Sequence, residues 1–270
     1  MNRTASWVAL ATLVAALAAG PVMAGNASDD ADWDGAVGLI ASRGPTYMGA
    51  ADTRLRAVPG FYLRYGRISV TTTGGFVTRH NEQVDRGLTA DLVQRRDFRV
   101  SLSARFDGGR DADADPALAG LPDLKPTVRA RLAAVKRYPG GWRLSAGLSP
   151  DLLGRGGGTL FDASVAHEWT LIPDVQATAS VGLFGADRRY MRSYFGITPE
   201  QSATTGLPAY VPAAGLRDVS IGLGLRAQLG PHWIGLAGLG STHLLGDARH
   251  SPLTRKVTSI GFSGGLAWQF

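Results

Sequence analysis

The sequence predicts an all-β fold, a transmembrane antiparallel up-and-down β-barrel of twelve strands. Three observations predict it. Segments of about ten residues alternate apolar and polar side chains with a period of two. The connections between these segments are short and long in turn. The last segment is amphipathic and stops on an aromatic residue, Phe270. Ten or fourteen strands stay open, because some segments are weakly patterned.

In chain order the segments are 33–41, 55–65, 68–78, 87–96, 98–107, 126–137, 141–149, 158–169, 174–184, 217–229, 232–243 and 257–270. The first, third and eleventh are the weakest. A strand sends successive side chains to opposite faces, so one face can meet lipid and the other a lumen. The fifth is the clearest: Phe98, Val100, Leu102, Ala104 and Phe106 alternate with Arg99, Ser101, Ser103, Arg105 and Asp107. The ninth and tenth repeat the pattern, with Val175, Ala177, Ala179, Val181 and Leu183, then Val219, Ile221, Leu223, Leu225, Ala227 and Leu229, on one face. A helix would gather its apolar residues at a period of 3.6 instead.

Tight turns of Gly, Pro and Asp type join strands two to three (Gly66-Arg67), four to five (Arg96-Asp97), six to seven (Tyr138 to Gly141), eight to nine (Ile172-Pro173) and ten to eleven (Gly230-Pro231). The intervening connections, 42–54, 79–86, 108–125, 150–157, 185–216 and 244–256, are longer. Short periplasmic turns alternating with longer outer loops are expected of an outer-membrane barrel, with both termini on the periplasmic side. On the last strand Phe262, Leu266, Trp268 and Phe270 share one face and read as a signal for the outer-membrane assembly machinery. Trp33, Phe61, Tyr65, Trp142, Trp169, Trp233 and Trp268 fall near strand ends, as interfacial girdles would.

Residues 1–24 have the form of a cleavable signal peptide: Arg3, an apolar run from Trp7 to Ala19, the breakers Gly20 and Pro21, and Val22-Met23-Ala24 as the cleavage site. Residues 25–32 read as a flexible lead-in, and 33–270 as the barrel. The chain is 44% hydrophobic, yet no stretch after residue 24 approaches the ~20 apolar residues of a membrane-spanning helix. Its 36 glycines, about twice the usual share, suit tight turns and closely packed strands. With no cysteine, an exported chain needs another constraint, and a closed hydrogen-bonded sheet supplies one.

The net charge is +6, and only Lys125, Lys136 and Lys256 among the 28 basic residues are lysine. The arginines are spread along the chain with no nucleic-acid motif, so no nucleic-acid partner is expected. Outer-membrane lipid and the phosphates of lipopolysaccharide are the anionic neighbours that fit an exported protein. Alternation directs Arg56, Arg64, Arg95, Arg99, Arg105, Arg129, Arg131, Arg143 and Arg226 into the lumen, with Asp91, Asp162 and Glu168. One consequence is an ion-pair network that plugs a modest barrel. The other follows from nine arginines against three acids: a water-filled, anion-favouring pore.

No catalytic, metal or cofactor site is assigned. The five histidines, His80, His167, His232, His243 and His250, are scattered, and there is no cysteine to complete a metal site. His250-Ser251 near Asp247 is the nearest approach to a hydrolase constellation. Gly154 to Gly158 lacks the lysine of a P-loop and reads as a flexible outer loop. The loop 185–216, with Tyr190, Tyr194, Phe195, Leu207 and Tyr210, is too apolar for a solvated tip. It either folds inward or forms a contact surface.

A set of motifs then resembles the MipA/OmpV family of outer-membrane proteins (MltA-interacting proteins). They are Arg192 to Pro199 (RSYFGITP), Gly206 to Tyr210 (GLPAY), Gly215 to Val219 (GLRDV), His232-Trp233, Leu244 to Ala248 with Ser251-Pro252, and Phe262 to Phe270 (FSGGLAWQF). Near the front, Gly44 to Ala50 carries a Tyr ahead of a Gly-Ala pair. The resemblance is strong over the last ~80 residues and loose between 80 and 160. It implies a non-enzymatic outer-membrane barrel acting as a scaffold for peptidoglycan-remodelling enzymes, a lytic transglycosylase and a penicillin-binding protein. Other members are discussed as porin-like. It carries over no catalytic residue.

Overall fold

The computed structural model describes residues 33–72 and 86–270. The expected signal peptide and lead-in, and the segment 73–85, lie outside the described residues. Twelve antiparallel strands form one closed barrel: β1 (Trp33–Pro45), β2 (Thr53–Tyr65), β3 (Ile68–Thr71), β4 (Gly87–Gln94), β5 (Phe98–Asp107), β6 (Thr127–Arg137), β7 (Trp142–Pro150), β8 (Thr159–Ile172), β9 (Val175–Ala186), β10 (Gly215–Gln228), β11 (Trp233–Leu244) and β12 (Thr258–Gln269). Neighbours in sequence are neighbours in the sheet. β1 and β12 close it, in register from Ala36 opposite Gln269 to Arg43 opposite Phe262. Closure matters because an unpaired backbone polar group in hydrocarbon costs several kcal/mol. Among the described residues, no helix is long and apolar enough to cross a membrane.

Several strands outrun their apolar pattern. β1 and β2 stay paired out to Pro45 opposite Thr53, so the first strand passes residue 41 and the second begins before 55. Backbone pairing continues there after the lipid-facing alternation has ended. Of the third segment, 68–78, the described part is a strand from Ile68 to Thr71.

The outer face is a continuous apolar wall. Leu39, Leu102, Leu132, Leu148, Val181, Ile221, Leu223, Leu225, Leu239 and Leu266 stand exposed on it. So large an apolar surface would drive association in water, and in a bilayer it is the solvated surface. The five described tryptophans, Trp33, Trp142, Trp169, Trp233 and Trp268, all lie at the end of the barrel that carries the tight turns. Ring contacts reinforce this girdle: Trp33 sits 4.8 Å from Tyr65, and His167 packs against Trp142 at 4.6 Å and Trp169 at 5.4 Å. The sequence placed these rings near strand ends without resolving which end.

The opposite end is capped. The loop after β9 holds two helices, α1 (Arg188–Phe195) and α2 (Pro199–Thr205), and the loop after β11 holds a third, α3 (Gly246–His250). Asp187 caps α1 by accepting from the Tyr190 N–H. Thr198 and Gln201 form a reciprocal capping box on α2, Pro199 takes its first turn, and Gly206 ends it in the left-handed conformation. Tyr190, Met191 and Phe195 of α1 pack with Ala248 of α3 against Ala186 and Leu244, at the loop ends of β9 and β11, and Leu160 of β8. A second cluster joins Leu118, Leu121, Ile197 and Leu253, with Tyr47, Leu207 and Tyr210 packed on it. Four different loops therefore share two small cores, and each large side chain buried there contributes about 1.5–3 kcal/mol. Of the two alternatives for the loop 185–216, α1 takes the inward one.

A charged interior under a loop cap

The inner face divides into two unlike walls. From β4 to β8 it carries arginines and acids. From β9 through β12 to β1 it is mainly small: Thr178, Ser180, Gly182, Ser220, Gly222, Gly224, Gly238, Gly240, Gly261, Ser263 and Gly265, with Gly38 and Ser42.

On the charged wall, most arginines meet a carboxylate. Asp91 is shared: Arg99 reaches it at 2.6 Å and Arg64 at 3.2 Å. Arg131 pairs bidentately with Asp162, its Nη2 at 2.9 Å from Oδ2. Arg129 is 1% exposed and is the most heavily bonded. Its Nε donates to Asp107 at 2.6 Å, and its other nitrogens to the carbonyls of Gly157 (2.7 Å), Gly158 (3.1 Å) and Ser149 (3.3 Å). Its guanidinium carbon also lies 5.6 Å from the centre of the Tyr190 ring. Arg217, at a bulge in β10, pairs with Asp218 at 2.6 Å and donates to the Tyr190 hydroxyl at 3.1 Å. Tyr190 thus links the barrel wall to the cap. Gly158 lets it do so: its φ is +52°, and a Cβ there would lie 2.4 Å from the Tyr190 nitrogen.

The remaining arginines are placed differently. Arg143 approaches Glu168 only at 3.9 Å. Arg105 and Arg226 are half-buried, and Arg226 donates to Gln228. Arg56 is exposed on the inner side and donates to the Thr46 carbonyl. Arg95 corrects the sequence reading. A bulge between Asp91 and Val93 shifts the alternation by one residue and sets Gln94 opposite Arg99. Arg95 then falls past the end of β4, exposed in the turn, where its N–H donates to the Phe98 carbonyl.

Sequence reasoning passed over Asp107, Asp218, Arg217 and Arg54. Asp107 shares the polar face of Arg105, so its signal was present in the alternation. Arg54 lies just before the expected start of its strand. The pairing of Asp107 with Arg129 reduces the charge imbalance that nine arginines against three acids suggested, and Asp218 is matched by Arg217, which was not among the nine.

In the cap, Arg110 donates to the Tyr194 carbonyl at 3.0 Å, and burial lowers the pKa of its guanidinium. Burial likewise raises the Tyr194 phenol, with Asp107 adding to the effect. Burial also pushes the Asp151 carboxyl up. Hydrogen bonds from Thr127 and from the N–H groups of Gly157, Leu153 and Gly154 outweigh it and hold the group below the usual carboxylate range. Asp151 therefore organises the glycine loop between β7 and β8.

Two of the three hydrolase-like residues are otherwise engaged. The buried Ser251 hydroxyl donates to the Phe195 carbonyl at 2.7 Å, and the Asp247 carboxylate accepts from the Ala213 N–H at 2.7 Å. His232 stacks on Trp268, and His243 bonds Thr258. Among the described residues, no group of three or more His, Cys, Asp or Glu is arranged to hold a metal ion. Phe262, Leu266 and Trp268 of β12, and Phe270 just after it, stand exposed on the outer face.

Comparison with known proteins gives the barrel its family. The chain is 26% identical over 210 residues to the putative outer membrane protein YiaT of Escherichia coli, from strain K12 and from O157:H7, covering 78% of this chain and 77% of the relative. Among solved structures it is similar to OprB of Pseudomonas putida (9% identity, 88% of this chain and 94% of the other, TM-score 0.45) and to the channel DcaP of Acinetobacter baumannii (10% identity, 92% and 100%, TM-score 0.39). Residues 37–270 match the model of the family described as MltA-interacting protein MipA. With the closed twelve-stranded barrel and its apolar outer wall, this places the chain in the outer membrane as a member of the MipA family.

Proposed function

We propose that the protein is a non-enzymatic interaction barrel that scaffolds peptidoglycan-remodelling enzymes at the cell envelope. The reading is supported by the cap: α1 occupies the mouth of the barrel, tied to the wall through Tyr190, Arg129 and Arg217. A barrel closed in this way suits a rigid structural part better than a wide channel. The family description, MltA-interacting protein, supports a lytic transglycosylase as the partner, and a penicillin-binding protein would be the synthase recruited with it. In this reading both termini and the tight turns face the periplasm, the loops face outward beside lipopolysaccharide, and Phe262, Leu266, Trp268 and Phe270 are read by the assembly machinery.

The test is capture. Folded protein immobilised in detergent should retain a purified lytic transglycosylase, and a penicillin-binding protein through it. Retention no greater than on an unrelated twelve-stranded barrel would overturn the scaffold.

A second reading is a narrow, anion-leaning pore. One observation favours it: a cavity of about 460 Å³ opens along the small-residue wall, lined by Arg54, Arg56, Ser42 and Ser263 together with glycines of β11 and β12. In planar bilayers it predicts discrete current steps with a reversal potential shifted toward the anion under a salt gradient.

A further inference from the structure

We propose that the small-residue side of the lumen carries a binding site for a small oxyanion, a carboxylate or a phosphate group, held by Arg54 and Arg56 of β2. The inference deepens the pore reading and rests on it only for the fate of the bound anion.

Two groups of interior arginines contrast. Arg64, Arg99, Arg129, Arg131 and Arg217 each hold a carboxylate. Arg54 and Arg56 meet backbone carbonyls instead: Arg54 donates to Ala114 at 2.9 Å and Arg56 to Thr46 at 3.3 Å. Both are exposed, and both line the cavity. No acid is among the thirteen described residues that line it. The nearby loop acid Asp115 is buried and committed, accepting from the Ala117 N–H and the Thr46 hydroxyl. Arg43, the third arginine at the cavity, lies opposite Leu55 and Phe262 of the outer face, and its Nε donates to Thr53.

Two residues apart on one strand, Arg54 and Arg56 present their guanidinium groups on the same face, their Cα atoms about 7 Å apart. Each group has five N–H donors in a planar fork. One donor of each holds a loop carbonyl, and the others are available to the cavity. An oxyanion between the forks would accept from both and relieve their repulsion, and guanidinium matches carboxylate and phosphate geometry two bonds at a time. The facing wall helps by leaving space. Gly44, Gly238, Gly240 and Gly261 project no side chain, and the Ser42 and Ser263 hydroxyls add neutral donors. The volume is within the range of small-ligand sites.

The experiment is calorimetric titration of inorganic phosphate and of citrate into folded protein in detergent, alongside bilayer recordings on the same preparations. Arg54→Gln/Arg56→Gln keeps an amide donor for each loop carbonyl and removes both charges. Folding is checked by the heat-dependent shift in gel mobility, and Arg54→Lys/Arg56→Lys serves as a second variant that keeps charge without the fork. The proposal expects saturable binding of at least one probe, weakened tenfold or more by the Gln pair and partly retained by the Lys pair. Binding with electrically silent protein would sink the pore reading and leave the site standing. Current whose anion preference the Gln pair leaves unchanged, with no binding of either probe to the unsubstituted protein, would overturn the site while the pore survives.

Discussion

Arg131 reaches Asp162 by crossing an intervening strand. The arginine is on β6 and the acid on β8, and the guanidinium passes over β7 at Gly147, where a Cβ would lie 2.4 Å from Nη1. Gly147→Val should therefore break the pair without touching either partner. Removing one side of a buried pair costs about 3–5 kcal/mol. We expect a loss of that order in denaturant unfolding from lipid vesicles. Arg131→Met should lose a similar amount, and the double variant should lose far less than the sum.

Arg129 is the joint between wall and cap. Arg129→Met removes the ion-pair partner of Asp107 and the donor to the Gly157 carbonyl, and leaves the Gly158 carbonyl with the Asp151 N–H alone. The same range of about 3–5 kcal/mol applies. The loss should show first as trypsin cleavage in the loops, at Arg155 or Arg189, with the strands still protected.

The cap should loosen in acid. Asp151 titrates below its ordinary value of 3.8 in the folded protein. A depressed carboxyl adds stability above the unfolded pKa, and that stability is lost as pH falls through the lower, folded one. Protease protection of the glycine loop should thus fall away below pH 3.8. Asp151→Asn should flatten this part of the profile while lowering protection at neutral pH. A profile unchanged by the substitution would show that another carboxylate controls it.

Substitution by depth checks the lipid-facing wall. Leu223→Arg, in the middle of the apolar face, should cost about 2–4 kcal/mol, as charged residues near the bilayer midplane do. Lys136, on the same face at the turn end, is tolerated because it pairs with Asp97 there. Lys136→Leu should accordingly change stability little.

Phe270 tests the last strand. Its N–H donates to the Gly35 carbonyl at 3.0 Å, and its ring lies tilted beside Trp268, the centres 5.6 Å apart. Phe270→Ala should leave refolding into vesicles nearly intact and lower the amount of folded protein reaching the outer membrane in cells. Equal deficits in both assays would make the residue structural only.

The strands were legible because lipid and lumen impose a period of two that 36 glycines and scattered charge do not blur. The residues that escaped did so for local reasons. Arg95 was misplaced by a bulge, which alternation cannot register. The helices of the long loop left signals, Asp187 before α1 and the Thr198-Pro199-x-Gln201 box before α2, yet a twenty-eight-residue loop between strands gives no hydrophobic period to anchor them. The pairing of Arg131 with Asp162 lay beyond reach, because it depends on three strands at once and on a glycine that looks like any other.

The pairing of β1 with β12 also has a meaning for how the molecule comes to exist. Ala36 and Gln269 are neighbours in space and nearly the two extremes of the barrel sequence. Until the twelve residues of β12 are in place, the sheet has two open margins and no inside. A chain cut short by one strand is therefore an open ribbon with two adhesive borders. Closure therefore requires the twelfth strand to find the first.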